Sequence, residues 1–316
     1  MYLKILTAFL LLSLSLFVFA NEDFEKAKEA YSKKQYPQMV LHLKNAAVQG
    51  YGLAQYSLGN MYYSGIGVEK DVQQAFVWVK KAAEQNVVRA QDRLGFLYVN
   101  GLGVKNDDQQ AFFWFKEAAE QGYAPSQDSL GGFYHSGRGV EQDYKQAATW
   151  YQKAAEQGLS SAQHNLGFFY ANGLAVSKDY KQAAIWYKKA AEQGVVDSQY
   201  NLADMYQSGR GVEQDYKQAF FWFKKVAEQG DFEAQSILGN MYQSGRGVEQ
   251  DYKQAVIWYQ KAAEQGGVES QYNLADMYQS GRGVTKDEQM AISLYKQANT
   301  KESLQQIYKI KRANKL

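Results

Sequence analysis

The side chains that most directly point to catalysis are Ser293 and Lys296, which match the Ser-x-x-Lys pattern of penicillin-recognising enzymes. In those enzymes the serine is the nucleophile. The two accompanying motifs of that class, Ser-Asp-Asn and Lys-Thr-Gly, do not occur in this sequence. Ser293 also aligns with Val77, Phe113 and Thr149 in a repeated helical position. We therefore interpret Ser293 as a structural residue.

A second candidate is the sequence Gly-Arg-Gly-Val, whose glycines could in principle cradle a phosphate. It occurs four times, beginning at Gly137, Gly209, Gly245 and Gly281. It lacks the third glycine of a dinucleotide-binding motif and the Lys-Ser/Thr of a P-loop, and no strand is predicted before it. The pattern favours a turn between two helices.

Patterns for metal or cofactor binding are also missing. The three histidines, His42, His135 and His164, have no metal-ligand spacing, and the chain has no cysteine. Pairs of the form Asp-x-x-Gln recur six times, which favours helix capping over acid–base catalysis. We predict no catalytic residue, no metal, no cofactor and no enzymatic activity.

The elements that would position any site are set by a repeat of 36 residues. A fixed period of this length is typical of a solenoid, in which each repeat buries its apolar face only against its neighbours. Seven full repeats begin at Ala54, Ala90, Ser126, Ala162, Ser198, Ala234 and Ser270. All six tryptophans of the chain follow the period: Trp78, Trp114, Trp150, Trp186, Trp222 and Trp258.

Each repeat predicts two helices joined by a glycine turn. The first helix carries one apolar stripe at helical spacing, formed in the first repeat by Ala54, Leu58, Met61 and Tyr62. A glycine such as Gly65 suits the left-handed cap at its end. The second helix is expected to begin at a capping aspartate, with a glutamine that reaches back to complete a capping box. We interpret the tryptophans of this helix as core residues rather than as a platform for sugars or bases.

The two ends of the chain differ from the repeats. Residues 1–20 predict a secretory signal peptide, with Lys4 before an apolar run and with Val18 and Ala20 before a cut at Asn21. The run is short for a membrane span, which needs about 20 apolar residues, so no integral span is expected after cleavage. Residues 21–50 predict an N-terminal capping helix pair, residues 54–298 the seven repeats, and residues 299–316 a C-terminal capping helix.

The charge balance argues against two classes of partner. The chain has 35 Lys and Arg against 33 Asp and Glu, a net charge of +2. Loss of Lys4 with the leader would leave 34 − 33 = +1. A balance this close to zero does not indicate nucleic acid or an anionic membrane as partner. We expect a periplasmic or secreted monomer that binds protein.

The repeats resemble those of the Sel-one-like repeat (SLR) family, relatives of the tetratricopeptide repeat. The resemblance covers residues 54–298 and implies an α/α right-handed superhelical solenoid of stacked antiparallel helix pairs, whose concave face binds other proteins. For exported bacterial members it implies adaptors in envelope regulation or in contact with host cells. Some cysteine-rich members are described as β-lactamases with disulfide-stapled repeats, and this cysteine-free chain departs from them. In the sixth repeat the matching residues are Ala234-Gln235, Leu238-Gly239, Tyr242, Gly245, Gly247-Val248, Asp251, Ala255, Trp258 and Ala262-Ala263.

The variable surface of the first helices is the predicted place of binding. Positions 56, 60 and 63, with their equivalents in later repeats, lie at i, i+4 and i+7, away from the buried stripe. Exposed aromatics there would anchor a partner, unless they pack against adjacent repeats. Residues 199–212 and 271–284 are identical, so a specific partner is expected to contact the first four repeats. The predicted partner-binding residues are Tyr56, Asn60, Tyr63, Asp92, Phe96, Asp128, His164 and Phe168.

The sequence thus predicts an exported, non-enzymatic protein-binding scaffold. Two alternatives remain open: a hydrolase of the cell wall or of β-lactams, and a binder of cell-wall glycan or peptide.

Overall fold

The computed structural model describes residues 19–313 of the chain, which is divided into two compact units, residues 1–162 and 163–316. All regular secondary structure within residues 19–313 is helical. Apart from its last two positions, the predicted signal peptide lies outside the described residues. Of the helices that are described, none has the length and apolarity needed to cross a membrane.

Every repeat forms two helices, and consecutive helices pack together over residues 36–156 and over residues 180–313. The N-terminal unit contains α1 (residues 19–32), α2 (Tyr36–Val48), α3 (Gly52–Ser64), α4 (Val72–Glu84), α5 (Val88–Asn100), α6 (Asp108–Glu120), α7 (Ala124–Ser136) and α8 (Tyr144–Glu156). The boundary between the units falls within α9 (Ser160–Asn172). The C-terminal unit continues with α10 (Tyr180–Glu192), α11 (Val196–Ser208), α12 (Tyr216–Glu228), α13 (Phe232–Ser244), α14 (Tyr252–Glu264), α15 (Val268–Ser280), α16 (Glu288–Ala298) and α17 (Lys301–Ala313). The predicted all-α fold of packed helix pairs is confirmed.

The predicted apolar stripes form the cores. In the first repeat, Ala54, Leu58 and Met61 are buried, whereas Tyr62 is half-buried at the rim, where Lys44 Nζ lies 5.7 Å from the centre of its ring. The two helices of a repeat approach closely at a small residue. A Cβ on Gly239 would overlap the ring of Tyr259 unless that ring moved. Alanine stands at the equivalent positions 203 and 275, so the repeats hold no side chain larger than a methyl group here.

The tryptophans pack into these cores to different degrees. Trp186, Trp222 and Trp258 are only 6–8% exposed, whereas the three tryptophans of the N-terminal unit are half-buried. A lysine three residues later covers the outer surface of most of the indoles, as Lys261 does with its Nζ 4.2 Å from the Trp258 ring. The register of the tryptophans therefore serves packing, and a cation–π contact closes the exposed side.

The aspartate caps form as predicted, but the capping boxes do not. Asp71 accepts hydrogen bonds from the backbone N–H groups of Gln73 and Gln74, each at 3.0 Å. Its own N–H donates to the Tyr62 carbonyl at 2.9 Å, not to the side chain of Gln74, so the predicted reciprocal half of the box is wrong. Since the cap needs only the carboxylate, Asp287 caps α16 in the same way, although methionine replaces the glutamine there.

The glycine turns after the first helices have the left-handed geometry that the sequence predicts. Gly245 ends α13 with φ 71°, and Gly247 follows with φ 75°. Ala175, which replaces the second glycine in the fourth repeat, also adopts a positive φ, 57°. Asn86, in place of the glycine that ends most second helices, has φ 63°.

A buried glutamine ties three helices together in most repeats, and the sequence analysis did not identify it. Gln235 in α13 donates from Nε2 to the Ala227 carbonyl at the end of α12, at 3.1 Å. Its Oε1 accepts from Nε2 of Gln265, which follows α14, at 2.9 Å. The Ala227 carbonyl lies in the last turn of α12 and also accepts from the Gly230 N–H at 3.1 Å, so this glutamine supplies another hydrogen bond to it inside the core. Equivalent pairs of bonds are made by Gln55, Gln91, Gln127 and Gln199.

The closing helix α17 completes the last core with only part of its apolar face. Ile307 and Ile310 are buried in one cluster with Tyr295, whereas Leu304 and Tyr308 are exposed. The glutamine series also ends here. Gln271 still donates to the Ala263 carbonyl at 3.2 Å, but lysine stands at position 301 and the Gln271 Oε1 has no partner within the described residues.

Candidate functional site

The first helices of the first two repeats bring three side chains together at the surface of the N-terminal unit. Tyr63 in α3 and Phe96 in α5 meet edge to face, with ring centres 6.3 Å apart. The guanidinium of Arg93 lies over both rings, its Cζ 5.3 Å from the centre of Tyr63 and 5.4 Å from that of Phe96. Phe96 remains 36% exposed. We call these three residues the Arg93 cluster.

Asp92, one residue before this cluster, points toward the next repeat. Its Oδ1 accepts from Ser126 Oγ at 2.7 Å, and the side chain is half-buried. Burial raises the pKa of the Asp92 carboxyl, although the Ser126 hydroxyl and the charge of Arg93 act in the opposite direction. Tyr123 lies nearby, and its pKa is raised by burial and then by Asp92 and Tyr56.

Asp128 repeats this arrangement one repeat later, because its Oδ2 accepts from Ser161 Oγ at 2.6 Å. Asn60 is different, since its buried Oδ1 has no partner within residues 19–313. In the sixth repeat the equivalent Asn240 accepts from the Tyr259 hydroxyl at 2.6 Å. The first repeat has Val79 where the sixth has Tyr259, and this apolar side chain cannot donate.

The two predicted residues in the C-terminal unit are His164 and Phe168. His164 Nδ1 lies 2.8 Å from Ser198 Oγ, and its ring centre is 5.6 Å from that of Tyr187, whose pKa burial raises to about 12. Phe168 is 39% exposed, and its ring centre lies 6.5 Å from that of Phe169. His164 also lines a cavity of about 350 Å³, described below.

Of the eight predicted residues, the structure thus brings Tyr63 and Phe96 into one surface cluster, and it packs the half-buried Tyr56 against the core of the N-terminal unit. Asp92, Asp128 and His164 are each half-buried and hydrogen-bonded to the following repeat. Each is therefore partly accessible to a partner and partly engaged in a contact between repeats. Arg93 was missed. The sequence could have indicated Arg93, because the equivalent position holds serine, asparagine or isoleucine in the other repeats.

The serines that begin alternate repeats were missed as well. Ser126 and Ser198 each bond the residue 34 positions earlier, Asp92 and His164. The third serine, Ser270, follows Ser236 by the same interval, but neither hydroxyl has a partner within the described residues.

The catalytic candidates of the sequence find little support. Ser293 is exposed on α16, at the position that holds the exposed Phe113 and Phe221 in other repeats. Within residues 19–313, no group of three or more His, Asp or Glu side chains could hold a metal ion.

Comparison with known proteins identifies the repeat. A family model described as the Sel1 repeat matches seven times, over residues 52–87, 88–123, 124–159, 160–195, 196–231, 232–267 and 268–302. No curated protein matched the sequence.

Two solved structures are similar over most of the chain. The first is c5321, a protective antigen present in uropathogenic Escherichia coli strains that displays an SLR fold, with 39% identity, a TM-score of 0.87, and coverage of 92% of this chain and 64% of that one. This chain therefore spans less than two thirds of that protein. The second is a Sel1 repeat protein from Oxalobacter formigenes, with 30% identity, a TM-score of 0.66, and coverage of 94% and 89%.

The contrast between Ser126 and Ser270 gives a prediction for stability. Ser126→Ala should lower the free energy of unfolding by about 1.5 to 3 kcal/mol at pH 7, because it removes the donor to the half-buried carboxylate of Asp92. Ser270→Ala should change it by less than about 1 kcal/mol, in the stabilising direction, because that buried hydroxyl has no partner to lose. Thermal and urea unfolding of both variants measure the difference, and equal losses would contradict it.

The pH dependence of the Ser126→Ala effect is a second part of this test. Burial raises the folded-state pKa of Asp92 above its unfolded value, so stability from this group is greatest at low pH and is lost as the pH rises through the folded pKa. The Ser126 hydroxyl reduces that loss. The penalty of Ser126→Ala should therefore be larger at pH 7 than at pH 3.

Proposed function

This chain belongs to the Sel1 repeat family, and we propose that it is an exported, monomeric scaffold that binds a partner protein through the first helices of its first four repeats. Sel1 repeat proteins are generally scaffolds for protein interactions. The partner surface proposed here includes the Arg93 cluster together with Tyr56, Asn60, Asp92 and Asp128, and also His164 and Phe168.

The observation that carries the proposal is the Arg93 cluster. Tyrosine, phenylalanine and arginine are enriched where protein interfaces gain most of their affinity. Tyr63 and Arg93 hold the Phe96 ring in place, so little side-chain freedom remains to be lost on binding. An ordered, partly exposed aromatic of this kind is suited to enter a pocket on a partner.

The distribution of the repeats supports the same location. A feature present in every repeat, such as the capping aspartate, serves the fold. The Arg93 cluster occurs once, whereas residues 199–212 and 271–284 have identical sequences. Recognition of one particular partner requires a surface that differs from its neighbours, and the first repeats supply it.

Export and a role at the cell envelope or in contact with a host rest on the leader sequence. The similarity to c5321, a protective antigen, is compatible with an exposed location. An intact mass that begins at Asn21, measured on protein from a periplasmic or culture fraction, would support export. Retention of residues 1–20 would count against it.

The hydrolase and the cell-wall binder remain the alternatives. No contact in the described residues favours either over the scaffold. Turnover of nitrocefin or peptidoglycan by the purified protein would support the hydrolase, and binding to isolated peptidoglycan would support the cell-wall binder.

The partner can be captured at the proposed surface. A photo-crosslinking phenylalanine analogue is placed at position 96, and a matched control carries it at position 113, where Phe113 is 47% exposed on a second helix. Crosslinking in the native cells, followed by mass spectrometry, should give a specific protein adduct from position 96 only. Equal adducts from both positions would contradict the proposed surface.

Two alanine substitutions then test the anchors. Phe96→Ala and Phe168→Ala should each weaken binding of the captured partner by more than about 1 kcal/mol, because each removes a ring that the partner would bury. Phe113→Ala and Phe221→Ala, which remove rings from second helices that are at least as exposed, should change affinity by less than about twofold. Melting temperatures check that all four variants fold. Unchanged affinity for both Phe96→Ala and Phe168→Ala would remove the prediction.

A further inference from the structure

The C-terminal unit contains two neighbouring cavities along its first helices. One, of about 310 Å³, lies between α13 and the start of α15 and is lined by Glu233, Ser236, Glu269 and Ser270, among others. We call it the Ser236 cavity. The other, of about 350 Å³, is lined by His164, Asp197 and Asp231. Tyr200 and Glu233 line both, so the two cavities adjoin.

Two buried hydroxyls of the Ser236 cavity have no partner within the described part of the chain. Ser236 is 8% exposed and Ser270 is fully buried, and neither Oγ makes a hydrogen bond there. At the two equivalent places the serine bonds Asp92 or His164. A buried hydroxyl without a partner costs stability, and a ligand that donates to it would recover that cost.

The charged side chains around both cavities are all acidic. Glu233 and Glu269 line the Ser236 cavity, and Asp197, Asp231 and Glu233 line the other, with no lysine or arginine among the described lining residues. Some of this charge already has a partner. Glu269 Oε1 accepts from Asn240 Nδ2 at 3.1 Å, and Asp231 caps α13 by accepting from the Ala234 N–H at 2.7 Å. Neither partner is a cation, so the negative charge is not neutralised by them.

The arginines in the turns of this unit lie against other groups. Arg210 pairs with Asp204, while Arg246 and Arg282 lie over the rings of Tyr216 and Tyr252, at 5.9 and 5.8 Å.

The remaining walls of the Ser236 cavity are apolar and aromatic. Phe232 and Val268 are 42% and 48% exposed, and Ile237 and the Tyr200 ring complete the lining. The aliphatic stem of a lysine or arginine packs well on such walls, while its charged end reaches carboxylates, hydroxyls and an aromatic face.

We propose that the Ser236 cavity binds a lysine or arginine side chain from an extended segment of a protein partner, with the adjoining cavity available to a second basic residue of the same segment. Glu233 and Glu269 supply the opposite charge, and the hydroxyls of Ser236 and Ser270 accept hydrogen bonds from the ammonium or guanidinium. This site goes beyond the surface around Phe96, and either can exist without the other.

The sequence indicates this site at one position, which is different from positions 56, 60 and 63. The position equivalent to residue 53 holds Arg89 in the second repeat, then proline and serine, and then Asp197, Glu233 and Glu269 in the last three repeats. The last three repeats therefore share an acidic residue at this position.

Fluorescence anisotropy with defined peptides tests the proposal at physiological ionic strength. A fluorescein-labelled peptide of four Gly-Lys units should bind the full-length protein at least about tenfold more tightly than one of four Gly-Gln units, because only the first carries the charge. The double variant Glu233→Gln, Glu269→Gln should weaken the Gly-Lys peptide by about tenfold. The double variant Ser236→Ala, Ser270→Ala should weaken it by about fivefold without loss of melting temperature.

Two controls separate this site from general charge attraction and from the Phe96 surface. The double variant Glu213→Gln, Glu249→Gln makes the same change of charge on exposed turns and should alter affinity by less than about twofold. Phe96→Ala should leave affinity for the Gly-Lys peptide unchanged. The proposal is overturned if the wild-type protein does not bind this peptide, if the Gly-Gln peptide binds equally well, or if both glutamate double variants weaken binding to the same extent.

Discussion

The hydrogen bonds of a buried glutamine, present in most repeats, are the constraint on which the rest of each unit depends. Apolar burial drives the helices together, but it is not directional and would tolerate sliding. Gln235 can make both of its hydrogen bonds in only one arrangement of the helices, because its amide must reach the end of α12 and the side chain of Gln265 at once. That register sets how first helices of neighbouring repeats face each other. The contacts between Tyr63 and Phe96, and between Ser126 and Asp92, follow from it.

The elements of the fold could be predicted because each depends on residues near in sequence. A 36-residue tryptophan period, a glycine that must adopt a positive φ and an aspartate before a helix are local signals that agree with one another. The capping glutamine was the exception. The N–H of Asp71 was assigned to Gln74, but the preceding turn brings the Tyr62 carbonyl to that N–H instead. A local rule failed where a backbone acceptor competed with a side chain.

The candidate sites were less predictable, because they form between repeats. The exposure of Phe96 could be inferred from its helical position, but not its contact with Tyr63 or the placement of Arg93 over both rings. Likewise, the 34-residue interval between Asp92 and Ser126 indicates a contact only when the two helices that carry them are known to lie side by side. The acidic cavities of the C-terminal unit were not predicted for a related reason, because the identity of residues 199–212 and 271–284 favours a specific partner at the other repeats. Duplicated residues can instead present the same chemistry twice.

A double-mutant cycle on Gln235 and Gln265 tests the glutamine constraint most directly. Gln235→Met should lower the free energy of unfolding by about 1 to 2 kcal/mol, since it removes the Nε2 donor to the buried Ala227 carbonyl, which keeps the Gly230 N–H, and Gln265→Met should lower it by about 1 kcal/mol. The double variant should lose less than the sum by about 0.5 to 1.5 kcal/mol, which is the coupling between the two side chains. Urea unfolding followed by circular dichroism measures all four corners of the cycle. Additive losses, or a negligible loss for Gln235→Met, would contradict the account.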